Sequence, residues 1–366
     1  MKYLVLFAIT FVLLTSCKKE DVPDPSILQK PSLYFPPVGS VEWATTSPES
    51  LGWNTGNLPA LYSFLEAEGS RAFLVLKDGR IVLEKYFGQT VQGTGPFTQT
   101  SPWYWASAGK TLTGFIVGKA QQERLLDINR TTSSYLGAGW TAAPLAKESL
   151  ITVRHQLTMT TGLDDGTDDV DNTTPAALVY KADAGTRWAY HNAPYTLLQR
   201  VVAAATGQSF AAYFNAKLKT VIGMDGQWVM DGYNSVYWST PRSMARFGIL
   251  MQAKGAWNGT TVMSDTAYLQ AAVNSSQNLN LAYGYLWWLN GKASGMVPQS
   301  QLVFPVSLFP AAPPDMYAAM GKNGQLLSVI PSKGLVIVRM GHNTDNSFVP
   351  ITFQNTLWEK LNAVIR

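Results

Sequence analysis

Cysteine occurs once, at Cys17, and histidine three times, at His155, His191 and His342. A single cysteine excludes disulfides, thiolate zinc sites and a cysteine nucleophile from any domain that follows it. No two histidines stand at a helical or hairpin ligand spacing, so the sequence indicates no metal centre. Charge is sparse as well. The 28 Lys and Arg stand against 24 Asp and Glu, a net charge of +4 without a dense basic patch, which gives no basis for nucleic-acid binding. Long apolar runs are also missing: the run from Tyr3 to Leu14, broken only by Thr10, is too short to span a bilayer as a finished helix. What is abundant is apolar residue, 46% of 366, enough for one large or two modest domains with a real core. Twelve Trp and sixteen Tyr fit either ordinary packing or an aromatic-walled cleft.

The first residues read as an address. Lys2 and the apolar run match the positive start and apolar middle of a secretion signal. The run ends Leu14-Thr15-Ser16-Cys17, which resembles a bacterial lipobox, whose cysteine is lipidated and becomes the mature N-terminus. The expected organisation is therefore a signal peptide over 1–16, a proline-rich tether over 17–50 and a folded domain over 51–366. Localisation follows from the anchor: the bacterial cell envelope, facing periplasm or exterior, with the membrane as a partner.

Within the domain, Leu58 to Glu68 reads as a short helix, and Ala72–Leu76 with Ile81–Tyr86 as a hairpin turning at Asp78-Gly79. Helices are expected over Ser107–Arg124, with a stripe at Leu112, Phe115, Ile116 and Ala120, over Val153–Thr160 and over Tyr195–Ala205. Strands are expected over Tyr283–Leu289, Leu326–Ile330 and Leu335–Met340, then a last helix over Ile351–Ile365. Strands at both ends and helices between argue an α+β domain, its sheet built from the two termini with a helical lobe inserted.

Three triplets carry chemistry. Ser107-Ala108-Gly109-Lys110 opens a helix and puts hydroxyl and amine on one face. A serine needs a neighbour to take its proton, and a lysine in a dry site has a lowered pKa and does so. Tyr190-His191-Asn192 offers a phenol to shuttle the proton and an amide to bond lysine and substrate. Lys322-Asn323-Gly324, before a strand, offers a cation for an anionic group and a glycine for close approach. Each triplet has a decoy: Ser16-Cys17-Lys18-Lys19, Tyr213-Phe214-Asn215 and Lys77-Asp78-Gly79.

In this order the set resembles the class C β-lactamase-like serine hydrolases, which include penicillin-binding DD-peptidases, β-lactamases, carboxylesterases and 6-aminohexanoate-dimer hydrolases. Leu125-Leu126-Asp127, Ile151 to His155, Leu157 to Leu163 and Thr206 to Phe210 also look like family segments in family order. The resemblance spans roughly residues 51 to 366. It implies an antiparallel sheet flanked by helices and no cofactor or metal. It implies Ser107 as acyl-forming nucleophile, Lys110 and Tyr190 as general-base and proton-transfer partners, and Asn192 as orienter of Lys110 and substrate. Lys322 and Gly324 would flank a small-molecule or peptide substrate, and the N–H groups of Ser107 and Gln325 would form the oxyanion hole. Asn323 departs from the Thr or Ser common in β-lactamases and transpeptidases. That removes a hydroxyl that helps hold a β-lactam carboxylate, and the surrounding Gly321-Lys322-Asn323-Gly324-Gln325, followed by Leu326 to Pro331, looks more like the esterase and 6-aminohexanoate-hydrolase branch.

Other readings compete. A Ser-His-Asp hydrolase wants Gly-x-Ser-x-Gly, but Trp105 stands where the first Gly belongs. Asp164, Asp165, Asp168, Asp169 and Asp171 lack EF-hand spacing and read as an exposed acidic loop rather than a calcium site. A penicillin-binding or peptidoglycan-sensing lipoprotein without turnover would keep the same fold. Trp103, Trp105, Trp287 and Trp288 read either as an apolar acyl pocket or as core.

Overall fold

The computed structural model describes residue 1 and residues 32–343 and 347–365. Cys17, the expected secretion segment past Met1 and the chain through residue 31 lie outside the described residues. One compact body runs from Leu33 to the C-terminus.

Its central layer is a six-stranded antiparallel sheet. The first hairpin, β1 (Ser70–Lys77) and β2 (Arg80–Tyr86), turns through Asp78 and Gly79, both at positive φ, as a two-residue hairpin loop requires. The other strands come from the far end of the chain. A short β3 (Trp103–Tyr104) pairs instead with the hairpin β4 (Gln227–Asp231) and β5 (Asn234–Ser239) in a second, small sheet. The main sheet is completed by β6 (Trp288–Leu289), β7 (Tyr317–Gly321), β8 (Gln325–Ile330) and β9 (Leu335–Gly341), in the order β2-β1-β9-β8-β7-β6. The expected α+β architecture, a sheet made from both ends, is what the chain adopts.

Strands β7 to β9 are buried on both faces and mostly apolar, because both faces are covered. Among the helices are α1 (Leu58–Ala67), α2 (Lys110–Gln122), the one-turn α3 (Val153–Leu157), α4 (Asn192–Thr206), α5 (Pro241–Gln252) and α6 (Ile351–Asn362). On one face, Gly248 of α5 lets the sheet approach so closely that a Cβ there would meet Val336 at 2.4 Å. On the other, Gln354 of α6 donates to Ser328 Oγ at 2.7 Å, and Phe353 stacks on Phe64 of α1.

Four expectations need correction. Residues 33–50 are no free tether. Tyr34 N donates to Asp78 O, Thr45 bridges Ile81, and buried Arg246 donates to the carbonyls of Pro36 and Pro37 at 3.0 and 2.9 Å. Helix α2 is buried almost all round rather than along one stripe, because it is the lobe's central helix. The aromatic run Tyr283–Leu289 is a tight bend, with Gly284 N donating to Trp287 O and Leu286 at φ 65, so only Trp288–Leu289 extends as strand. Helix α3 stops at Leu157, before Met159 at φ 59.

Candidate active site

The serine turn is built from both of its sides. Residues Ala106–Gly109 form a 3-10 turn leading into α2, and Ala106 has φ 47, a left-handed conformation that costs a non-glycine residue about 1–2 kcal/mol. Such strain persists when the surroundings over-determine it. Trp105 supplies that constraint: its indole N–H donates to Ser239 Oγ at 2.8 Å and its backbone N–H to Tyr237 O at 2.8 Å. On the other side lies Gly321 of β7. A Cβ there would stand 2.5 Å from Trp105 O and 3.0 Å from Ser107 N, so only glycine lets the strand end lie against the serine.

Lys110 Nζ donates to Ser107 Oγ at 2.9 Å. The lysine is 3% exposed, and its Nζ sits 5.3 Å from the Tyr190 ring centroid and 4.3 Å from that of Tyr195. Burial pushes its ammonium down to about 7, against which the Asp171 carboxylate pulls upward. Burial among Trp188, Tyr283 and Trp288 raises the Tyr190 phenol well above the ordinary value, and the neighbouring Ser107 hydroxyl opposes that rise only in part. The hydroxyl, amine and phenol expected from distant segments are thus brought into one neighbourhood, with the amine bonded to the serine.

The serine is reachable. A cleft of about 690 Å³ is lined by Ser107, Lys110, Asn192, Lys322 and Asn323, five of the residues singled out in the sequence. Asn192 Nδ2 donates to Asp171 Oδ1 at 2.7 Å, while its Oδ1 is buried without a hydrogen-bond partner. Lys322 is exposed, on the turn between β7 and β8. Asn323, at φ 64, donates through Nδ2 to the Tyr104 hydroxyl at 2.8 Å.

The remaining expected residues stand elsewhere. Gly324 packs against Arg339 and does not line the cleft. Gln325 is fully buried, its side chain donating to Gly341 O at 2.6 Å and accepting from Gly341 N at 3.1 Å. It pairs with Gly321 across the ladder, so it stands one strand removed from the serine. The backbone beside Ser107 N is that of Gly321, which corrects the expected role of Gln325. Trp103, Trp105, Trp287 and Trp288 are all at most 5% exposed and none lines the cleft, so they are core. The wall beside the serine is made by Tyr104, Tyr195, Trp238 and Phe348, with Val229 and Met230 of the β4–β5 hairpin.

Three contributors were missed. Tyr195 lies one helical turn beyond Asn192, a spacing that shares its face and was the available signal. Asp171 was read only as part of an acidic loop. Its neighbours there are ion-paired, Asp164 to Lys181 at 2.7 Å and Asp165 to Arg187 at 2.6 Å. Buried Arg339 holds the Lys322 turn by donating to the carbonyls of Asn323 and Gly324 at 2.8 and 3.0 Å, which no local pattern announces. Two of the three histidines serve the fold. His155 closes a capping box with Thr152, and buried His191 is pushed down to about 4.

The chain thus combines an antiparallel sheet and a helical lobe with a serine, a lysine and a tyrosine drawn together where they meet. A family model described as Beta-lactamase matches residues 65–350, and the chain belongs to that family. An uncharacterised protein of Alkalihalophilus pseudofirmus is 23% identical over 313 residues, which cover 77% of this chain and 86% of that one. Among solved structures, a putative 6-aminohexanoate-dimer hydrolase from Bacillus anthracis has a TM-score of 0.64 at 18% identity, covering 88% of this chain and 86% of its own. A penicillin-binding protein homologue from Caulobacter crescentus has a TM-score of 0.67 at 12% identity, covering 88% and 99%. At such identities these two structures speak for the fold.

Proposed function

We propose that this protein hydrolyses an ester or amide through a covalent acyl-Ser107 intermediate. The observation that carries the reading is the 2.9 Å contact between Lys110 Nζ and Ser107 Oγ at a cleft open to solvent. Burial divides the proton work. A lysine near 7 is partly neutral at neutral pH and accepts the serine proton, whereas a phenol raised far above its usual value stays protonated. Lys110 is therefore the base for acylation. Tyr190 is the donor that passes a proton to the leaving group, and the pair then activates water against the acyl ester. The oxyanion is met by Ser107 N–H and by the strand end at Gly321 to Lys322.

Substrate class follows from the mouth. Asn323 spends its amide on Tyr104, leaving Lys322 as the cation nearest an anionic substrate group. That supports simple esters and linear amides over β-lactams. The test is a panel of nitrophenyl esters, nitrocefin, D-Ala-D-Ala peptides and aminohexanoate oligomers, run beside Ser107→Ala. Ester or amide turnover abolished in the mutant is the expected outcome. A chain that binds but turns over nothing would be a sensor instead.

We further propose that lipidation at Cys17 holds the enzyme at the bacterial envelope, on the strength of the Leu14-Thr15-Ser16-Cys17 motif. Labelled palmitate should enter the wild type and not Cys17→Ala, which should leave the membrane fraction. Equal labelling of both would overturn the anchor.

A further inference from the structure

We propose that Asp171 is a positioning residue of this site: its carboxylate fixes which way the Asn192 amide faces and supplies the fixed negative charge against which Lys110 gains its proton. The inference rests on the acyl-Ser107 reading above and adds a residue to it.

The argument starts from donor chemistry. An ionised carboxylate only accepts hydrogen bonds, and an amide has one accepting and one donating end. The 2.7 Å contact from Asn192 Nδ2 to Asp171 Oδ1 therefore selects one of the two flips of Asn192. The carbonyl end is turned inward, where Oδ1 is buried and unpartnered. A buried acceptor without a donor is unfavourable. An ammonium has three donors, and the contact to Ser107 Oγ occupies one. When Ser107 attacks, the Oγ bond to the acyl carbon forms as the hydroxyl proton passes to Nζ, and the ammonium so made is the cation that the Asp171 carboxylate steadies.

The charges around Lys110 support this. Its own helix brings Ser107. The segment around α4 brings the rings of Tyr190 and Tyr195, and Asn192. Lys322 stands at the exposed edge of the cleft, on the turn after β7. Asp171 is the carboxylate that raises the lysine against burial, and among the described residues it makes no ion pair that would spend its charge. Buried His191, which also feels Asp171, is held neutral by a pKa near 4 and does not titrate where Lys110 does.

The test measures the rate at which an ethyl fluorophosphonate labels Ser107 in the folded protein, by intact mass, from pH 5 to 9. In that reaction Oγ bonds to phosphorus, fluoride leaves and Lys110 takes the proton. The wild type should show an acid limb near 7. Asp171→Asn should move that limb to lower pH, because the ammonium has lost its support, and lower the plateau about tenfold, the order expected for a charge-assisted contact. Asp171→Ser, equally neutral without a second amide, should do the same, and Asp171→Glu should restore both. A limb and plateau unmoved in both neutral variants would overturn the proposal while leaving the nucleophile reading intact. A wild type that takes no label would instead sink that reading and this one with it.

Discussion

Lys110 and Lys322 line the same cleft, but one is 3% exposed beneath two tyrosine rings and the other stands in solvent on a turn. The same side chain serves two purposes, and dehydration separates them. Burial disfavours the ammonium and turns Lys110 into a base near neutrality. Lys322 stands in water, where its long side chain reaches the mouth of the cleft rather than the serine. On the proposed function, chemistry falls to the dry end of the cleft and recognition to the wet end.

The contrast is tested most severely at the dry end. Lys110→Ala should lower ester turnover by ~1000-fold and Tyr190→Phe by ~100-fold, the range for loss of a general base or acid. Rates near wild type in either would abolish the distinction between the two lysines. A smaller effect is the pH profile. Because Lys110 must be neutral to act, kcat/KM should rise with pH and level off above about 7, falling about tenfold per unit on the acid side. A profile flat from pH 5 to 9 would place the base elsewhere. At the wet end, Lys322→Ala should raise KM for anionic esters about threefold at low salt, leave kcat alone, and lose its effect in high salt. A fall in kcat would mean that Lys322 takes part in the chemistry.

The smallest effect is on stability. A lysine whose folded pKa is lowered destabilises the fold fully below about 7, and less and less as pH climbs toward its unfolded value. Lys110→Met should therefore raise the thermal midpoint by ~2 °C at pH 6, with the gain shrinking at pH 9. Lys322→Met should change it at neither pH. Equal shifts in both variants would show that burial is not what sets the two lysines apart.

Much of this was legible in the sequence, for reasons that differ by element. Asp78-Gly79 marked its hairpin because two positive-φ residues in succession have few other uses. Ser107 and Lys110 were legible because the helix fixes their spacing, and Tyr190 because the three triplets came in a recognisable order. Gln325 was misassigned because strand identity, not sequence distance from Lys322, decides which backbone touches the serine. The tryptophans stayed open between pocket and core because a large apolar residue near a motif looks alike in either, and only burial separates the two. Asp171 was hidden because one carboxylate among five neighbours is singled out only by what the folded loop brings to it.

The segment stitched down by Arg246 has a practical consequence. Trimming the chain at residue 50, where the prolines thin out, would leave that guanidinium without the oxygens of Pro36, Pro37 and Ser40, and would uncover the Trp257 ring on which Phe35 rests. A recombinant version cut there would be prone to clump, whereas one beginning before Leu33 keeps its clasp.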